Sequence, residues 1–594
     1  MRIPRPTKLW TRTVALAAAG TLTVGALAAC DAGSATSAET DGSGTTTAEI
    51  SATDNSGRSA QEVLSENLSS DETAALADET WDTADEVAVS LDGDTASASG
   101  DGVTVDGSTV TITQPGTYRL SGTLDDGQVV VDSSADGVVR LVLDGADVTS
   151  STGAAVDVQD ADQVSVVLAD GSTNRLEDAA EYADTTSDNA ADAALYSTAD
   201  LAISGDGKLD VVGNANDGIT GKDGLVIAGG TISVTAADDA IRGKDYLVVA
   251  GGTVSVDAGG DGLKSDADDD ATAGYVALTG GDVTVKAASD GVQGFTDVAI
   301  TDGTLAVTGS EEGIEAATIA VSGGDVDITS TDDGLNATVK EAEDDTATDD
   351  TATDDTATDD SASGTDDQQD QQGTAPEPPA DGEMPADGQG QPPADGEMPQ
   401  GGGGGGGGGM DAVQEGASLT ITGGTLHVDA EGDGLDSNGV AVVSGGDVVV
   451  EGPTNGGNGA LDSAGGTTVS GGTVLAVGSS GMAEGFADDS SQGWVALTAD
   501  STLEAGTEVA VVDADGSTVA TITLTKTAQS VVYTGPEVTD GDTYTLTADG
   551  TEVGTATAGE APAGGMGGGM GGGQPGQGTQ DGSTDQSSSD TAAS

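Results

Sequence analysis

A single cysteine, a single histidine and 2% aromatic residues in a chain of 594 leave little material for several common chemistries. One Cys permits no internal disulfide, and one His with one Cys cannot build a zinc site. No G-x-S-x-G elbow is present, and the only His, His427, lies on a strand in "GGTLHVDAEGDGLD", where a surface position is expected. Sixteen Lys and Arg stand against 104 Asp and Glu, for a net charge of −88. That balance excludes nucleic acid as a partner, since phosphate recognition needs basic patches. A surface so acidic either stays in water by charge repulsion or collects cations.

Long hydrophobic runs are also missing beyond the first thirty residues. There, Arg2, Arg5, Lys8 and Arg12 precede "VALAAAGTLTVGALAAC", too short and Ala-rich for a good membrane span. "LAAC" resembles the bacterial lipobox, which makes Cys30 the expected lipid-bearing residue and residues 1–29 a lipoprotein signal. A plain secretory signal is the alternative. The expected location is the cell membrane, lipid-anchored on the extracytoplasmic side, or else secreted.

What the chain does have is glycine, 95 residues of it, and a repeat. Residues 30–80 are Ser-, Thr-, Asp- and Ala-rich and read as a solvated, disordered tether, with "AQEVLSENL" as a helical turn. Short alternating strands begin at Val87. A Gly-Gly or Asp-Gly phrase then recurs, its last glycine at 207, 230, 252, 281, 303 and 324, and again at 424, 446 and 472. The intervals are 23, 22, 29, 22 and 21, then 22 and 26. A period in the low twenties with only β patterning inside it indicates a solenoid. The Leu/Asn template of leucine-rich repeats and the nine-residue calcium repeat are both absent, which leaves an all-β fold, a parallel β-helix with one coil of about 22 residues per repeat. Ile232, Val234, Ile241, Leu247 and Val249 are expected inside, followed one coil later by Val254, Val256, Leu263, Val276 and Leu278.

The expected organisation is a β-helix over residues 81–339 and 417–500, interrupted at 340–416. The interruption is Asp/Thr-, Pro- and Gly-rich and cannot bury a core, so it reads as a disordered insert. Residues 501–557 lose the period and read as a closing β cap, needed because an open solenoid end invites edge pairing. Residues 558–594 form a Gly-, Met- and Ser-rich disordered tail.

One acidic residue recurs at the same turn of each copy: Asp217, Asp239, Asp261, Asp290, Glu312, Asp333 and Asp433, with Asn458 last. In a β-helix these sit about 4.8 Å apart, so the carboxylates repel and must share protons or cations. Hard oxygen ligands on a rigid ladder suit Ca2+. The metal candidates are Asp217, Asp239, Asp261, Asp290, Asp333 and Asp433, with Asp266 and Asp268 of the long coil "KSDADDDATAG" able to complete a site. Asp-Gly is equally a turn former, and the glycine resets the alternation that would tell inward from outward side chains. Lys222, Arg242, Lys244 and Lys264 cluster near the same corner. They offset the acidic column or, as catalytic candidates at Lys222, Lys244 and Lys264, contact an acidic sugar or abstract its proton.

The phrases "PGTYRLSGTLDDGQVVVD", "VRLVLDGADV", "NDGITGKDGLVIAGGTISV" and "GGDGLKSDADDDATAGYVALTGG" together resemble the extracellular carbohydrate-binding β-helix proteins related in shape to polysaccharide lyases. The resemblance runs from about Val87 to Val553, apart from the insert. It implies a right-handed parallel β-helix, bound Ca2+ at the Asp-Gly turns of Asp217, Asp239, Asp261 and Asp290, and affinity for polysaccharide of cellulose or pectic type. Three functions follow as expectations: a monomeric, membrane-tethered polysaccharide-binding protein, a Ca2+-dependent lyase, or a structural or adhesive envelope rod. Tyr182, Tyr196, Tyr246, Tyr275, Phe295, Phe486 and Trp494 are the aromatics available to stack on sugar rings.

Overall fold

The computed structural model describes residues 55–77, 80–183, 190–340 and 412–561. The signal segment, Cys30, the first part of the tether, the insert from 341 to 411 and the tail from 562 lie outside the described residues.

Each repeat folds as one three-sided coil. Gly224–Ile227, Thr231–Ala236 and Ile241–Gly243 form the first, second and third faces of one such coil. Each strand pairs in parallel with its equivalent one coil on, Val226 with Val248, Ile232 with Val254 and Ile241 with Leu263. The ten residues expected inside are all buried, and all belong to one continuous core. Val, Ile and Leu stack on their own kind above and below, so the core needs few aromatics. Equivalent residues are 22 apart between Asp217 and Asp239, 29 between Asp261 and Asp290, and 100 between Asp333 and Asp433. The longest step contains the insert, yet Val326 pairs with Leu426 and Leu335 with Leu435, so the stacking resumes in register. The roots of the insert are clasped by Gln414, whose amide accepts from Val339 N at 2.7 Å and donates to Val339 O at 3.0 Å.

Both ends of the solenoid are closed by antiparallel pairing. At the start, Val87–Gly93 pairs antiparallel with Thr95–Ser99 and parallel with Gly116–Leu124. At the other end, Ala528–Thr534 runs antiparallel to both Thr473–Gly478 and Trp494–Leu503, and a four-stranded antiparallel sheet follows. Thr473–Gly478 and Trp494–Leu503 thus share a direction, and the reversal is made by Ala528–Thr534, which lies between them.

The second glycine of each Gly-Gly phrase turns the corner between first and second faces with positive φ, as at Gly281 (φ 85). A Cβ there would lie 3.0 Å from the backbone of Gly251 and Gly252 in the preceding coil. Conformation and close approach both demand glycine.

The segment expected as tether departs from that expectation between residues 55 and 77. It forms two short helices, Ala60–Leu64 and Asp71–Ala74, and lies along the first face. Ala60 and Val63 pack on Ala299 and Ala320. Ala60 N donates to Ser322 Oγ at 2.7 Å, Leu68 N donates to Thr272 O at 2.7 Å, and Ser165 Oγ donates to Leu76 O at 2.9 Å. This strap thus crosses from the coil of Thr420, which accepts from Gly57 N, down to that of Ser165. The sequence carried the signal. First-face strands such as Tyr246–Val249 and Thr318–Val321 are apolar without alternation and buried on both sides, whereas second-face strands such as Thr253–Ala258 alternate.

Gly281→Ala is expected to destabilise by well over the ~1–2 kcal/mol of a left-handed alanine, because its Cβ also meets backbone. Gly516→Ala, with φ 85 but open space around it, should show the conformational cost alone. Urea midpoints of the two variants check the difference.

Candidate functional site

The acidic column lies at the corner leading into the third face, and the structure gives it a backbone task. Asp217 Oδ1 accepts from Asp239 N at 3.3 Å, Asp239 Oδ1 from Asp261 N at 2.8 Å, and Asp261 Oδ1 from Asp290 N at 2.9 Å. Asp333 Oδ1 does the same for Asp433 N at 2.6 Å, and Asp433 Oδ1 for Gly459 N. Each carboxylate supplies the partner for an amide that the corner would otherwise leave unpaired. The last member of the column is therefore Gly459, not Asn458. An extra residue in the turn "NGGNGAL" cannot be placed by spacing alone, and the hydrogen bond decides it.

Three residues further on, a second column points outward from the third face. Its register runs Thr220, Arg242, Lys264, Gln293, Glu315, Asn336, Asp436, Asp462. These side chains face the acidic column and divide it into three stretches.

In the first stretch the chain brings its own cations. Lys264 Nζ lies 3.1 Å from Asp239 and 2.8 Å from Asp261. Arg242 reaches Asp266 at 2.5 Å and Asp217 at 3.9 Å, and Thr220 donates to Asp217 at 2.8 Å. Asp217 is still pushed up to about 8, by burial first and then by Asp239 and Asp192. Of the metal candidates, Asp217, Asp239, Asp261 and Asp266 are thus already matched to protein cations, and Asp268 lies in the loop of the long coil, half-buried.

In the middle stretch the outward residue is itself acidic. Asp290, Glu312 and Glu315 bring one carboxylate oxygen each within 4.8 Å of one another, a set able to hold a metal ion. Burial, then neighbouring carboxylates, raises both Asp290 and Glu312. Gln293 Nε2 donates to Asp290 at 2.7 Å, Asn336 Nδ2 donates to Glu312 at 3.1 Å, and Lys340 pairs with Glu315. Asp290 belonged to the sequence-derived set and Glu312 to the column, but Glu315 did not. Reading the position three past each column member would have found it.

The third stretch gathers Asp333, Asp433, Asp436, Asp462 and Glu484. Asp436 is pushed up to about 8 by burial and then by Asp333, Asp433 and Asp462, and Asp333 to about 7 by burial and then Asp433. Asp436 and Asp462 escaped the sequence reading for the same reason as Glu315, and Glu484 joins them by its nearness to Asp462 and Asp433.

The candidate bases do not converge. Lys222 and Lys244 occupy the corner after the third face, one coil apart, and Lys264 lies on the face itself. Lys222 pairs with Asp192 at 2.9 Å. Lys264, between two carboxylates, is raised well above the usual lysine range: burial opposes that shift, and Asp261 and Asp239 outweigh it. An ammonium held so firmly acts as a counterion. The expected sugar-stacking aromatics are mostly out of reach too, since Tyr196, Tyr246, Tyr275, Phe486 and Trp494 are buried. His427 is no bare surface histidine either. It lies 3.4 Å from Asp327 and 3.6 Å from Glu451, and Glu451 in turn accepts from Thr525 of the cap.

Carboxylates with folded values near 7–8 bind more protons folded than unfolded, across the window from their ordinary value near 4 up to 8. Their contribution is most favourable at the acid end of that window and is lost as pH rises through it. Metal-free protein should therefore show a melting temperature that falls from pH 5 to pH 9. Asp436→Asn should stabilise by on the order of 2 kcal/mol at pH 9 and change little at pH 5, read by thermal unfolding at both.

Comparison with known proteins adds three likenesses. Residues 106–365, which include the middle stretch, match the model of a family described as carbohydrate-binding domain-containing protein. A protein of Acetivibrio thermocellus with that description is 42% identical over 126 residues, 21% of this chain and 44% of the relative. The chain thus spans under half the length of that curated relative. A solved structure described as the polysaccharide lyase-like protein from C. thermocellum, gadolinium derivative, shares 33% identity over 41% of this chain and 94% of its own, with a TM-score of 0.35. The likeness to the carbohydrate-binding domain-containing family thus rests on residues 106–365.

Proposed function

We propose that this chain is a carbohydrate-binding protein, anchored to the outer side of the cell membrane through lipid on Cys30, that binds polysaccharide on a Ca2+-stabilised, right-handed β-helix as a monomer. The right hand follows from the general preference of parallel crossovers. The family match supports carbohydrate as ligand class, and the observation that carries the cation is the triad Asp290, Glu312 and Glu315. Three carboxylates give a hard-oxygen donor set suited to Ca2+, which takes six to eight oxygens and so leaves positions for water or for sugar oxygens. When bound, Ca2+ would supply positive charge where burial and repulsion now hold protons. It would also let a polyanionic pectic sugar approach a chain of charge −88, which otherwise favours a neutral glucan. Binding is preferred over lyase chemistry because Lys264 is locked between Asp239 and Asp261 and Lys222 is paired with Asp192.

Ca2+ at about 100 times its Kd should add about 2.7 kcal/mol of stability, and Glu312→Gln/Glu315→Gln should remove that gain while melting normally in chelator. The functional test mixes the chain carrying Cys30→Ser with cellulose and with polygalacturonate, each with Ca2+ or chelator, and follows co-sedimentation and the ultraviolet absorbance of unsaturated uronide. Retention without new absorbance is expected. Rising absorbance would make the protein a lyase, and no retention on any polysaccharide would leave a structural rod.

A further inference from the structure

The strap covers a surface of the first face that is both apolar and hydrogen-bonding. Beneath it, Val226, Val248, Ala277, Ala299 and Ala320 form a flat apolar strip in a single register column. Beside the strip, Tyr246 and Tyr275 of adjacent coils stack with ring centroids 5.4 Å apart and an interplanar angle of 24°. Hydrogen-bonding groups flank the strip, and each is engaged by a polar group of the strap. Asp297 accepts from Asn55 Nδ2 at 3.3 Å and Asn67 Nδ2 at 2.9 Å. Tyr275 Oη donates to Leu68 O at 2.7 Å, and Tyr246 Oη shares a 2.7 Å hydrogen bond with Thr73 Oγ1. The Tyr246 ring is held between Tyr275 and Gly224 and presents its hydroxyl, and an apolar floor edged by a carboxylate and phenols is the chemistry that takes the C–H groups and hydroxyls of an extended glycan. The strap's amides, hydroxyl and carbonyl occupy the places of such hydroxyls.

The strap is held mainly by hydrogen bonds, with little apolar burial of its own. Its helices have five and four residues, too short to persist without packing. Its fully buried apolar side chains are few: Ala60, Val63 and Leu76. Segments with so few apolar contacts belong to the low-stability end of a fold and open first. We propose that residues 55–77 are an exchangeable cover, and that an extended polysaccharide binds the first face at Tyr246, Tyr275 and Asp297 when the strap lifts. This rests on the carbohydrate reading above and names the surface that reading lacks, since most candidate aromatics are otherwise buried.

The test locks the strap. Val63 and Ala299 belong to one apolar cluster across the boundary, and in the Cys30→Ser chain Val63→Cys/Ala299→Cys provides the sole pair of thiols. Retention on cellulose and on polygalacturonate is measured for the unlocked chain and for the double variant, oxidised and reduced. The expected result is retention of the unlocked and reduced forms, with at least a ten-fold loss on oxidation. Equal retention of oxidised and reduced forms overturns the proposal and leaves the carbohydrate reading standing. No retention of the unlocked chain overturns both. A second measurement needs no variant: hydrogen exchange at the amides of Ala60 and Leu68, with cellohexaose and with oligogalacturonate. Faster exchange with either sugar supports displacement, and unchanged or slower exchange in a binding protein overturns it.

Discussion

Parallel stacking of coils at one strand spacing, about 4.8 Å, governs everything else in this molecule. Whatever residue stands at a position has its equivalent directly above and below. An aliphatic column such as Ile232, Val254 and Val283 then becomes a continuous core. A glycine column lets each corner nest against the last. An acidic column accumulates repulsion with every coil. The same geometry that makes apolar repeats favourable makes charged repeats costly.

The column survives because its carboxylates have two kinds of partner. In Asp217, Asp239, Asp261, Asp333 and Asp433 one oxygen accepts the next coil's amide, which fixes the corner and would be lost with an apolar residue. The remaining charge is handled by whatever stands three residues later on the third face. Where that residue is Lys264, the chain neutralises itself. Where it is Glu315 or Asp436, the charge is compounded, and protons or an external cation must compensate. The difference between a structural stretch and a candidate metal centre is thus a single outward position, set coil by coil.

The two other faces divide the surface by the same logic. The second face alternates, exposing Thr, Ser and Asp to water. The first face is apolar outward as well as inward and so requires a cover, which residues 55–77 provide. A segment whose composition reads as solvated becomes ordered because it completes the burial of a sheet that was never amphipathic.

The sequence by itself determined the solenoid. A period near 22 with alternating aliphatics admits few folds, and the ten residues expected inside are inside because strand alternation is local. It also determined the acidic column, whose members share one place in the repeat. The tertiary structure decided what each carboxylate faces, because a partner lies a whole coil away and on a neighbouring column, where spacing along the chain gives no guide. Glu315, Asp436 and Glu484 joined the site in that way, Gly459 replaced Asn458, and Lys264 proved to be bound between Asp239 and Asp261. The strap was likewise decided in three dimensions. Its own residues carry little apolar signal, and only the unalternating strands beneath it, brought side by side by the coils, create the surface that holds it.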